Sequence, residues 1–282
     1  MKPKRLFLFA GYSAKKKIND ALIYMLKQLK KCGDIILIVD SDIPAKELSL
    51  VKKFTIYAHA KRHGEYDFGS YKRAYQYAKG KKILNNYDFL YMVNDSVYGP
   101  LLPIEKALKS MESQGTDAFA MVYNNHPKKS HLGAWFIGMR PTIFLTQWYE
   151  EFMLNITHQE SKGDVIKKYE HGFTNMLFQH KTSYDAPYYA IGRRIYNNVR
   201  KFSNSGMPFI KKLAFTRHYG RLGRQILYAL NHGNKEAKKA ILSAAREEYG
   251  EEYVQWLLTK NPLKILTRTI KYFIHKLHVG GI

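Results

Sequence analysis

Cysteine is nearly missing from this chain of 282 residues, since Cys32 is the only one. A single cysteine excludes an intrachain disulfide framework and fits a reducing compartment. Long apolar runs are missing as well, because no stretch approaches the roughly 18 residues that a membrane-spanning helix needs. The sequence also lacks zinc-ligand spacing, an RNA-recognition aromatic signature, a clear helix-turn-helix pattern and internal repeats.

Acidic residues are scarce. The chain has 23 Asp and Glu against 46 Lys and Arg, which gives a formal net charge of +23. Such a surface favours polyanions, namely nucleic acid, anionic lipid headgroups or phosphorylated ligands. Because no nucleic-acid-binding motif accompanies the charge, we expect no nucleic-acid partner. A non-catalytic nucleic-acid-binding protein remains the contrasting hypothesis.

The first third of the chain alternates strand and helix patterns. The basic segment Lys2–Arg5 and the apolar run Leu6–Ala10 imitate a signal peptide, but the run is shorter than the usual 7–15 or so residues. We therefore predict a first strand and a cytoplasmic protein. A helical pattern from Ile18 to Leu29 follows, and then apolar runs at Ile35–Val39 and Phe54–Ala58 predict two more strands.

The remaining elements are predicted in the same way. Gly69-Ser70 is expected at a helix N-terminus, where backbone amides can receive an anion. The sequence becomes basic and helix-rich after about Ala190, which predicts a main domain over 1–190 and a C-terminal region over 191–282. The other predicted elements are a helix from Pro103, strands at Asp117–Tyr123 and His131–Met139, and helices at Thr142–Met153 and Val165–Leu177.

The most informative segment is the apolar run Phe89–Val93, which ends abruptly in Asn94-Asp95-Ser96. The run predicts a buried strand, and ligands in open α/β sheets bind beyond the carboxyl ends of strands. A carboxylate at Asp95 is well placed to hold a divalent cation against a diphosphate. Alternatively, these three residues only form the turn that follows the strand.

Five blocks of the sequence stand out, at residues 65–72, 94–100, 131–136, 169–174 and 208–211. Together they resemble the rhamnan synthesis protein F family, a group of bacterial polysaccharide glycosyltransferases. The resemblance covers roughly residues 3–215. Gly133 and Ala134 depart from the family pattern, in which a larger polar residue and a serine stand, and this departure concerns the acceptor contacts.

The resemblance implies a GT-A-like fold, a Rossmann-like mixed sheet flanked by helices, in a catalytic domain that carries the basic helical region as an extension. It implies a hexosyltransferase or rhamnosyltransferase. The donor would be a nucleoside-diphosphate sugar carrying a rhamnose-like deoxysugar or another hexose. The acceptor would be a growing lipid-linked glycan of a lipopolysaccharide O-antigen, capsule or wall rhamnan, and the transfer would invert the anomeric centre.

The resemblance also implies roles for residues around Asp95. Asp95 would bind Mg²⁺ or Mn²⁺, with Asn94 and Ser96 as water-mediated partners. Lys72 and Arg73 would stand beside the phosphates as fixed cations. In the alternative interpretation Asp95 belongs to a turn and the two cations lie on a solvated face.

Asp67 and an aromatic neighbour are predicted to contact the nucleoside. Asp67 would accept its hydrogen bonds, with Tyr66 or Phe68 against the base. The alternative is that Asp67 is a helix N-cap and the aromatic residues belong to the core. Tyr12 and Asp40, at the ends of the first two strands, would line the same crevice.

Inversion requires a general base near the acceptor hydroxyl. Glu170 is the first choice, because its block matches the family and it lies on a mostly apolar helix face, and Asp164 is the second. Alternatively, Glu170 is a surface carboxylate paired with a neighbouring lysine. His131 and His171 are either metal ligands, acceptor contacts or structural residues.

The segment Lys260–His278 predicts a basic amphipathic helix. Such a helix can lie in the headgroup region of an anionic membrane, which would place the protein on the inner face of the bacterial plasma membrane beside a lipid-linked acceptor. It can equally pack its apolar stripe on the main domain. A third functional hypothesis is a degenerate transferase that retains the fold as a scaffold.

Overall fold

The computed structural model describes residues 2–217, 221–267 and 270, which form two compact units. The first unit comprises the chain up to Ile18 together with Met25–Asp95 and Ile104–Gly192. The second comprises Asn19–Tyr24, Ser96–Pro103 and the described residues from Arg193 onward. The predicted roles of 1–190 as a catalytic domain and 191–282 as its extension stay predictions. Most of the predicted tail helix, 260–278, lies outside the described residues.

The strands of the described chain are short except at the centre of the main sheet. They are β1 (Arg5–Gly11), β2 (Asp34–Val39), β3 (Tyr57–Ala60), β4 (Phe89–Asn94), β5 (Val97–Tyr98), β6 (Ala118–Ala120), β7 (Val122–Asn124), β8 (His131–Leu132), β9 (Phe136–Met139), β10 (Tyr184–Asp185), β11 (Tyr188–Ala190) and β12 (Ile210–Lys211).

The helices alternate with these strands in the first unit and dominate the second. They are α1 (Asp20–Lys30), α2 (Ala45–Lys52), α3 (Tyr66–Gly80), α4 (Ile104–Glu112), α5 (Pro141–Phe144), α6 (Gln147–Leu154), α7 (Lys162–Val165), α8 (His171–Gln179), α9 (Arg194–Asn197), α10 (Val199–Asn204), α11 (Leu222–His232), α12 (Lys235–Tyr249) and α13 (Glu251–Leu257). A π-helical segment, Ile166–Glu170, joins α7 to α8.

A seven-stranded mixed sheet organises the first unit, with the strand order β3-β2-β1-β4-β9-β6-β10. Strands β3, β2, β1 and β4 run parallel, so their carboxyl ends meet at one edge. Strand β9 is antiparallel to both of its neighbours, and β6 and β10 are again parallel to each other. The predicted mixed α/β architecture is therefore confirmed.

The central strands are apolar between their end residues because both of their faces are covered. Every residue of β1 is buried. Leu6 and Leu8 share a core cluster with the buried stripe of α3, which includes Tyr71 and Tyr75. On alternate positions Phe7 instead contacts Tyr91 of β4, with ring centroids 5.1 Å apart.

The third strand lies later than predicted. Phe54–Ala58 was expected to form it, but the strand is Tyr57–Ala60. Helix α2 precedes it, and the Phe54 amide donates to the Val51 carbonyl at 2.9 Å, which holds this aromatic residue in the turn after the helix. Pairing with β2 begins only at Ile56, whose amide donates to the Ile35 carbonyl at 2.9 Å.

Two predicted strands are each divided between two sheets. The segment Asp117–Tyr123 contributes β6 to the main sheet and, beyond Met121, β7 to a three-stranded sheet of order β11-β7-β8. His131–Met139 is likewise split into β8 and β9 by a turn, in which the Phe136 amide points to the Gly133 carbonyl at 3.4 Å. An alternating apolar pattern does not reveal where a strand changes sheet.

Two helix boundaries also differ from prediction. The helix expected over Thr142–Met153 is interrupted, because Thr146 caps a new helix by accepting a hydrogen bond from the Tyr149 amide at 3.3 Å. Gly69-Ser70 does not start a helix, since α3 begins at Tyr66 and the Gly69 amide already donates to the Glu65 carbonyl. The predicted anion site at Gly69-Ser70 is therefore wrong.

The second unit packs helices around a two-stranded ladder. Strand β12 pairs antiparallel with β5, with Ile210 opposite Tyr98. This pairing joins two blocks of the sequence that lie more than a hundred residues apart. Glycine is required in the first block, because a Cβ at Gly99, where φ is +141°, would lie 2.5 Å from the Pro208 carbonyl oxygen.

Candidate active site

The carboxyl ends of β1 and β4 bring Asp95 and Tyr12 together. Asp95 directly follows β4, and its amide donates to the Ala10 carbonyl of β1 at 3.2 Å. Its Oδ2 atom accepts a hydrogen bond from the Tyr12 amide at 3.3 Å. The Tyr12 ring is 55% exposed, with the Arg62 guanidinium 5.5 Å from its centroid. Tyr12 thus orients Asp95 through its backbone and leaves its ring at the surface.

Asn94 and Asp67 form a second contact at the same strand end. The Asn94 Nδ2 atom donates to Asp67 Oδ2 at 2.8 Å. Desolvation, followed by the negative charge of Glu170, raises the pKa of Asp67 above its ordinary value. Asp67 is not the N-cap of α3, which is Glu65, and Phe68 is buried in the core. Of the earlier alternatives, the N-cap is excluded, and Phe68 does belong to the core.

Glu170 lies at the last position of the π-helical segment before α8. Its Oε1 atom accepts a hydrogen bond from the Ala134 amide at 2.9 Å and lies 3.9 Å from His131 Nε2. Single π-helical turns occur frequently at functional sites, because the wider turn shifts the direction in which a side chain points. The alternative pairing of Glu170 with a neighbouring lysine is not what the described contacts show.

The buried hydroxyl of Tyr71 is influenced by the negative charge of three carboxylates. Burial raises its pKa well above the ordinary value, and the charges of Asp67, Glu170 and Asp95 add to that shift. The Tyr71 hydroxyl donates to the Ala134 carbonyl at 3.1 Å. The backbone of Ala134 therefore connects Tyr71 to Glu170, a role for which the sequence carried no signal beyond the block that contains it.

Two histidines border Glu170. The rings of His131 and His171 are 4.3 Å apart between centroids. The Nδ1 atom of His131 lies 2.8 Å from the Lys129 carbonyl, to which it can only donate, and this leaves Nε2 facing Glu170. Desolvation, followed by electrostatic repulsion from His131, lowers the pKa of His171. His131 thus lies within 3.9 Å of the predicted base, and His171 lies next to His131.

Asp40 is engaged in building a loop. It is 3% exposed, and its Oδ1 accepts hydrogen bonds from the amides of His63 at 2.7 Å and Gly64 at 2.9 Å. Its Oδ2 accepts one from Arg62 Nη1 at 2.9 Å. These contacts fix the segment that precedes α3. Asp40 remains a predicted nucleoside contact, although its oxygens already hold protein donors.

His63, a half-buried residue whose side chain is only 6% exposed, was missed by sequence reasoning. Its Nδ1 accepts from the Glu65 amide at 3.1 Å, so Nε2 carries the proton and donates to Ser70 Oγ at 3.0 Å. Desolvation, opposed by Asp40, lowers the pKa of His63 to about 4. The only sequence signal was a His-Gly pair directly before a family block.

Lys72 and Arg73 project from the body of α3. Lys72 Nζ donates to the Ile156 carbonyl at 2.6 Å. Arg73 Nη1 donates to Glu65 Oε2 at 2.5 Å and to the Gly69 carbonyl at 2.9 Å. Their placement beside phosphates stays a prediction, and it would require these protein contacts to open.

Ser96 and Asp164 complete the predicted residues. Ser96 belongs to the second unit, where its Oγ accepts a hydrogen bond from Lys211 Nζ at 2.8 Å. Lys211 lies in the last family block, and no sequence pattern indicated that it contacts Ser96. Asp164 lies in the exposed first turn of α7, and its Oδ2 accepts from Ser161 Oγ at 2.7 Å. This reciprocal capping with Ser161 explains Asp164 without a catalytic role.

Asp95 suits a cation that is shared with a bound ligand. Among the residues that the structure describes, no group of three or more His, Cys, Asp or Glu side chains is arranged to hold a metal ion. Mg²⁺, however, keeps several waters and is usually bound by one or two carboxylates plus substrate phosphates. A carboxylate at the strand ends, oriented by a backbone amide, fits that mode of binding.

These observations define an α/β protein with a carboxylate-rich site at the end of its central strand. Comparison with protein families identifies it further: a family model described as Rhamnan synthesis protein F matches residues 35–279. The chain therefore belongs to the rhamnan synthesis protein F family, and the predicted resemblance is confirmed. The match extends beyond the predicted limit near residue 215 and includes most of the basic C-terminal region. With this membership and the observed strand order, the predicted GT-A-like class is also confirmed.

Solved structures give weaker likenesses. A protein of Desulfovibrio desulfuricans G20 described as a nucleotide-diphospho-sugar transferase is 13% identical with a TM-score of 0.43, covering 88% of this chain and 99% of that one. A cytidylyltransferase from Leptospira borgpetersenii is 12% identical with a TM-score of 0.38, covering 68% and 77%. Core-mannan synthase A from Aspergillus fumigatus, in its Mn/GDP form, is 11% identical with a TM-score of 0.32, covering 54% and 63%. At these TM-scores the likenesses carry no argument about chemistry.

Comparison with curated proteins gives no match. Within the described part of the chain, no helix has the length and apolar character needed to cross a bilayer.

Proposed function

We propose that this chain is a metal-assisted glycosyltransferase. It moves a rhamnose-like deoxysugar or another hexose from a nucleoside-diphosphate donor to a growing lipid-linked cell-surface glycan. The observation that carries the proposal is the set of contacts at the end of the central strand, where the Tyr12 amide holds Asp95 and the Ala134 backbone links Glu170 to Tyr71. Membership in the rhamnan synthesis protein F family supports it.

Asp95 serves the donor side of the reaction. With one oxygen held by the Tyr12 amide, it would bind Mg²⁺ or Mn²⁺ together with the diphosphate. The bound ion supplies positive charge against the charge that builds on the departing diphosphate. Asn94, fixed by Asp67, keeps the strand end in place beside Asp95.

Glu170 serves the acceptor side. It takes the proton of the acceptor hydroxyl as that oxygen forms a bond to the anomeric carbon and the bond to the diphosphate breaks. The Ala134 amide fixes Oε1, so the carboxylate keeps its orientation before and after proton transfer. Attack from the face opposite the leaving group inverts the anomeric centre.

A thermal-shift titration tests the donor site. The full-length protein is heated with dTDP, UDP or GDP, each with and without Mg²⁺ or Mn²⁺. Binding that saturates the site raises the free energy of unfolding by about 2.7 kcal/mol at one hundred times Kd. We expect one nucleotide to raise the melting temperature only with metal, and Asp95→Ala to abolish the rise.

Glu160→Ala is the matched control, because Glu160 is an exposed carboxylate outside the site. It should keep the full rise. A rise without metal, or one that survives in Asp95→Ala, would contradict the role of Asp95. A panel of nucleotide sugars tested for donor consumption then identifies the sugar, and nucleotide binding with no turnover on any donor would indicate a scaffold instead of an enzyme.

A further inference from the structure

The second unit contains a long segment without acidic residues. Between Asp185 and Glu236 the sequence has ten Lys and Arg and no Asp or Glu. These cations have no carboxylate within their own segment to pair with. Because opposite charges are normally interspersed on a protein surface, such a segment is suited to an anionic partner.

Contacts between α10 and α11 bring several of these cations together. The Arg200 amide donates to the Gln225 side-chain oxygen at 3.2 Å, and the Arg200 guanidinium lies 4.3 Å from the centroid of the Tyr228 ring. The N-terminal turns of the two helices therefore lie side by side. Lys201 and Arg224, the sequence neighbours of Arg200 and Gln225, are exposed.

A second set of contacts connects Arg217, which precedes α11, to α9. Arg217 lies 5.1 Å from the centroid of the Tyr196 ring and donates to Asn197 Oδ1 at 2.9 Å. Both of these partners belong to α9. We call the exposed cations of these three helices and their N-caps the basic face, which consists of Arg193, Arg194, Arg200, Lys201, Arg221 and Arg224.

Aromatic rings near the basic face are already occupied. Tyr228 stacks on His232 with centroids 3.9 Å apart in addition to receiving Arg200, and Tyr196 receives Arg217. Binding of single-stranded nucleic acid relies on rings that are open to bases. The stacked tyrosines therefore argue against a nucleic-acid partner.

Exposed aliphatic side chains occur in the same unit. Leu213 is 46% exposed in the turn after β12, and Leu263 and Leu266 are 73% and 56% exposed. Cations accompanied by exposed aliphatic side chains are typical of proteins that lie on an anionic bilayer. We propose that the basic face docks on an anionic membrane surface. This goes beyond the proposed transferase activity and does not depend on it.

Vesicle co-sedimentation of the full-length protein tests this proposal. Vesicles of phosphatidylcholine alone are compared with vesicles that also contain phosphatidylglycerol. The test variant replaces four residues of the basic face, Arg193, Arg194, Lys201 and Arg224, by Ala. The matched control replaces four exposed lysines of the first unit, Lys46, Lys52, Lys106 and Lys109, by Ala, which removes the same charge.

We expect binding only to the anionic vesicles, weakened by salt, and a loss of at least tenfold in the test variant, since each Lys or Arg near the surface contributes about 1 kcal/mol. The control variant should lose much less. A variant with Lys at the three Arg positions should bind like the native protein, which separates loss of charge from loss of fold.

Two results would overturn the proposal. One is equal loss in the test and control variants, which would mean that total charge alone decides binding. The other is tighter binding of a single-stranded oligonucleotide than of anionic vesicles through the same four residues, which would assign the basic face to nucleic acid.

Discussion

Two carboxylates follow the strands on either side of β1, and they differ in what surrounds them. Asp40, after β2, is nearly inaccessible and accepts hydrogen bonds from His63, Gly64 and Arg62. Asp95, after β4, is less buried and lies in a region where Asp67 and Glu170 add further negative charge.

The difference shows that position at a strand end does not by itself make a ligand site. Around Asp40 the donors come from the protein, so the carboxylate stabilises a loop. Near the end of β4, burial and then the negative charge of Glu170 raise the pKa of Asp67, so its ionised form costs stability. Such perturbed carboxylates are common where charge must be bound or a proton moved.

The largest effect is expected from Glu170→Gln. Loss of a positioned general base typically lowers the rate 10²- to 10⁴-fold, so glycosyl transfer should fall by about that factor. The melting temperature should stay the same or rise, because a repulsive charge near Asp67 disappears. Acceptor-dependent donor consumption measures the transfer rate, and a thermal melt measures the melting temperature. Transfer at the native rate would exclude Glu170 as the base.

Asp40→Ala should cost stability instead of specific catalysis. Asp40 is buried, and without it two backbone amides lose their acceptor, each at a typical cost of about 1–3 kcal/mol. Urea unfolding should show this loss, whereas Asp95→Ala should change the free energy of unfolding by about 1 kcal/mol or less. Equal losses in the two variants would remove the distinction between the two carboxylates.

The pH dependence of unfolding should report His63. Its pKa is lowered from 6.5 to about 4 in the folded state, so the unfolded chain takes up its proton first as pH falls. The stability is complete above pH 6.5 or so and is lost towards pH 4, by about 3 kcal/mol in total. In His63→Gln the slope over this window should flatten. An unchanged slope would mean that other groups cause it.

The smallest effect is expected from Asp67→Asn. Because the folded-state pKa of Asp67 is raised, ionisation penalises the folded state as pH rises above the unfolded value. The variant should therefore be more stable near neutral pH, and the gain should vanish in acid, where both states are protonated. Chemical denaturation at the two pH values measures the difference. A loss at neutral pH would show that the bond to Asn94 outweighs the repulsion.

The strands that carry the site were predicted well from the sequence. The apolar runs of β1, β2 and β4 lie where expected, because buried parallel strands leave a continuous apolar pattern. The family blocks pointed to Asp95 and Glu170. Neither the turn at Met121 between two sheets nor the π-helical segment before α8 leaves a local pattern, so both were missed.

The partners of the carboxylates could not be predicted either. Asp40 meets His63 only because the segment before α3 folds back over the end of β2, and the charge of Glu170 reaches Asp67 only because α8 packs beside the sheet. Saturation of a carboxylate by protein donors depends on such distant contacts. Residue type and spacing therefore make Asp40 and Asp95 equal candidates for a ligand site, although their surroundings differ.

Crystals grown with manganese and a nucleoside diphosphate test most directly whether Asp95 holds the cation. We predict an anomalous peak bound by an Asp95 oxygen at a coordination distance of about 2.0–2.5 Å, with the diphosphate on its other side. A manganese ion and diphosphate bound far from Asp95, whether near Asp40 or elsewhere, would contradict the proposed role of the strand end.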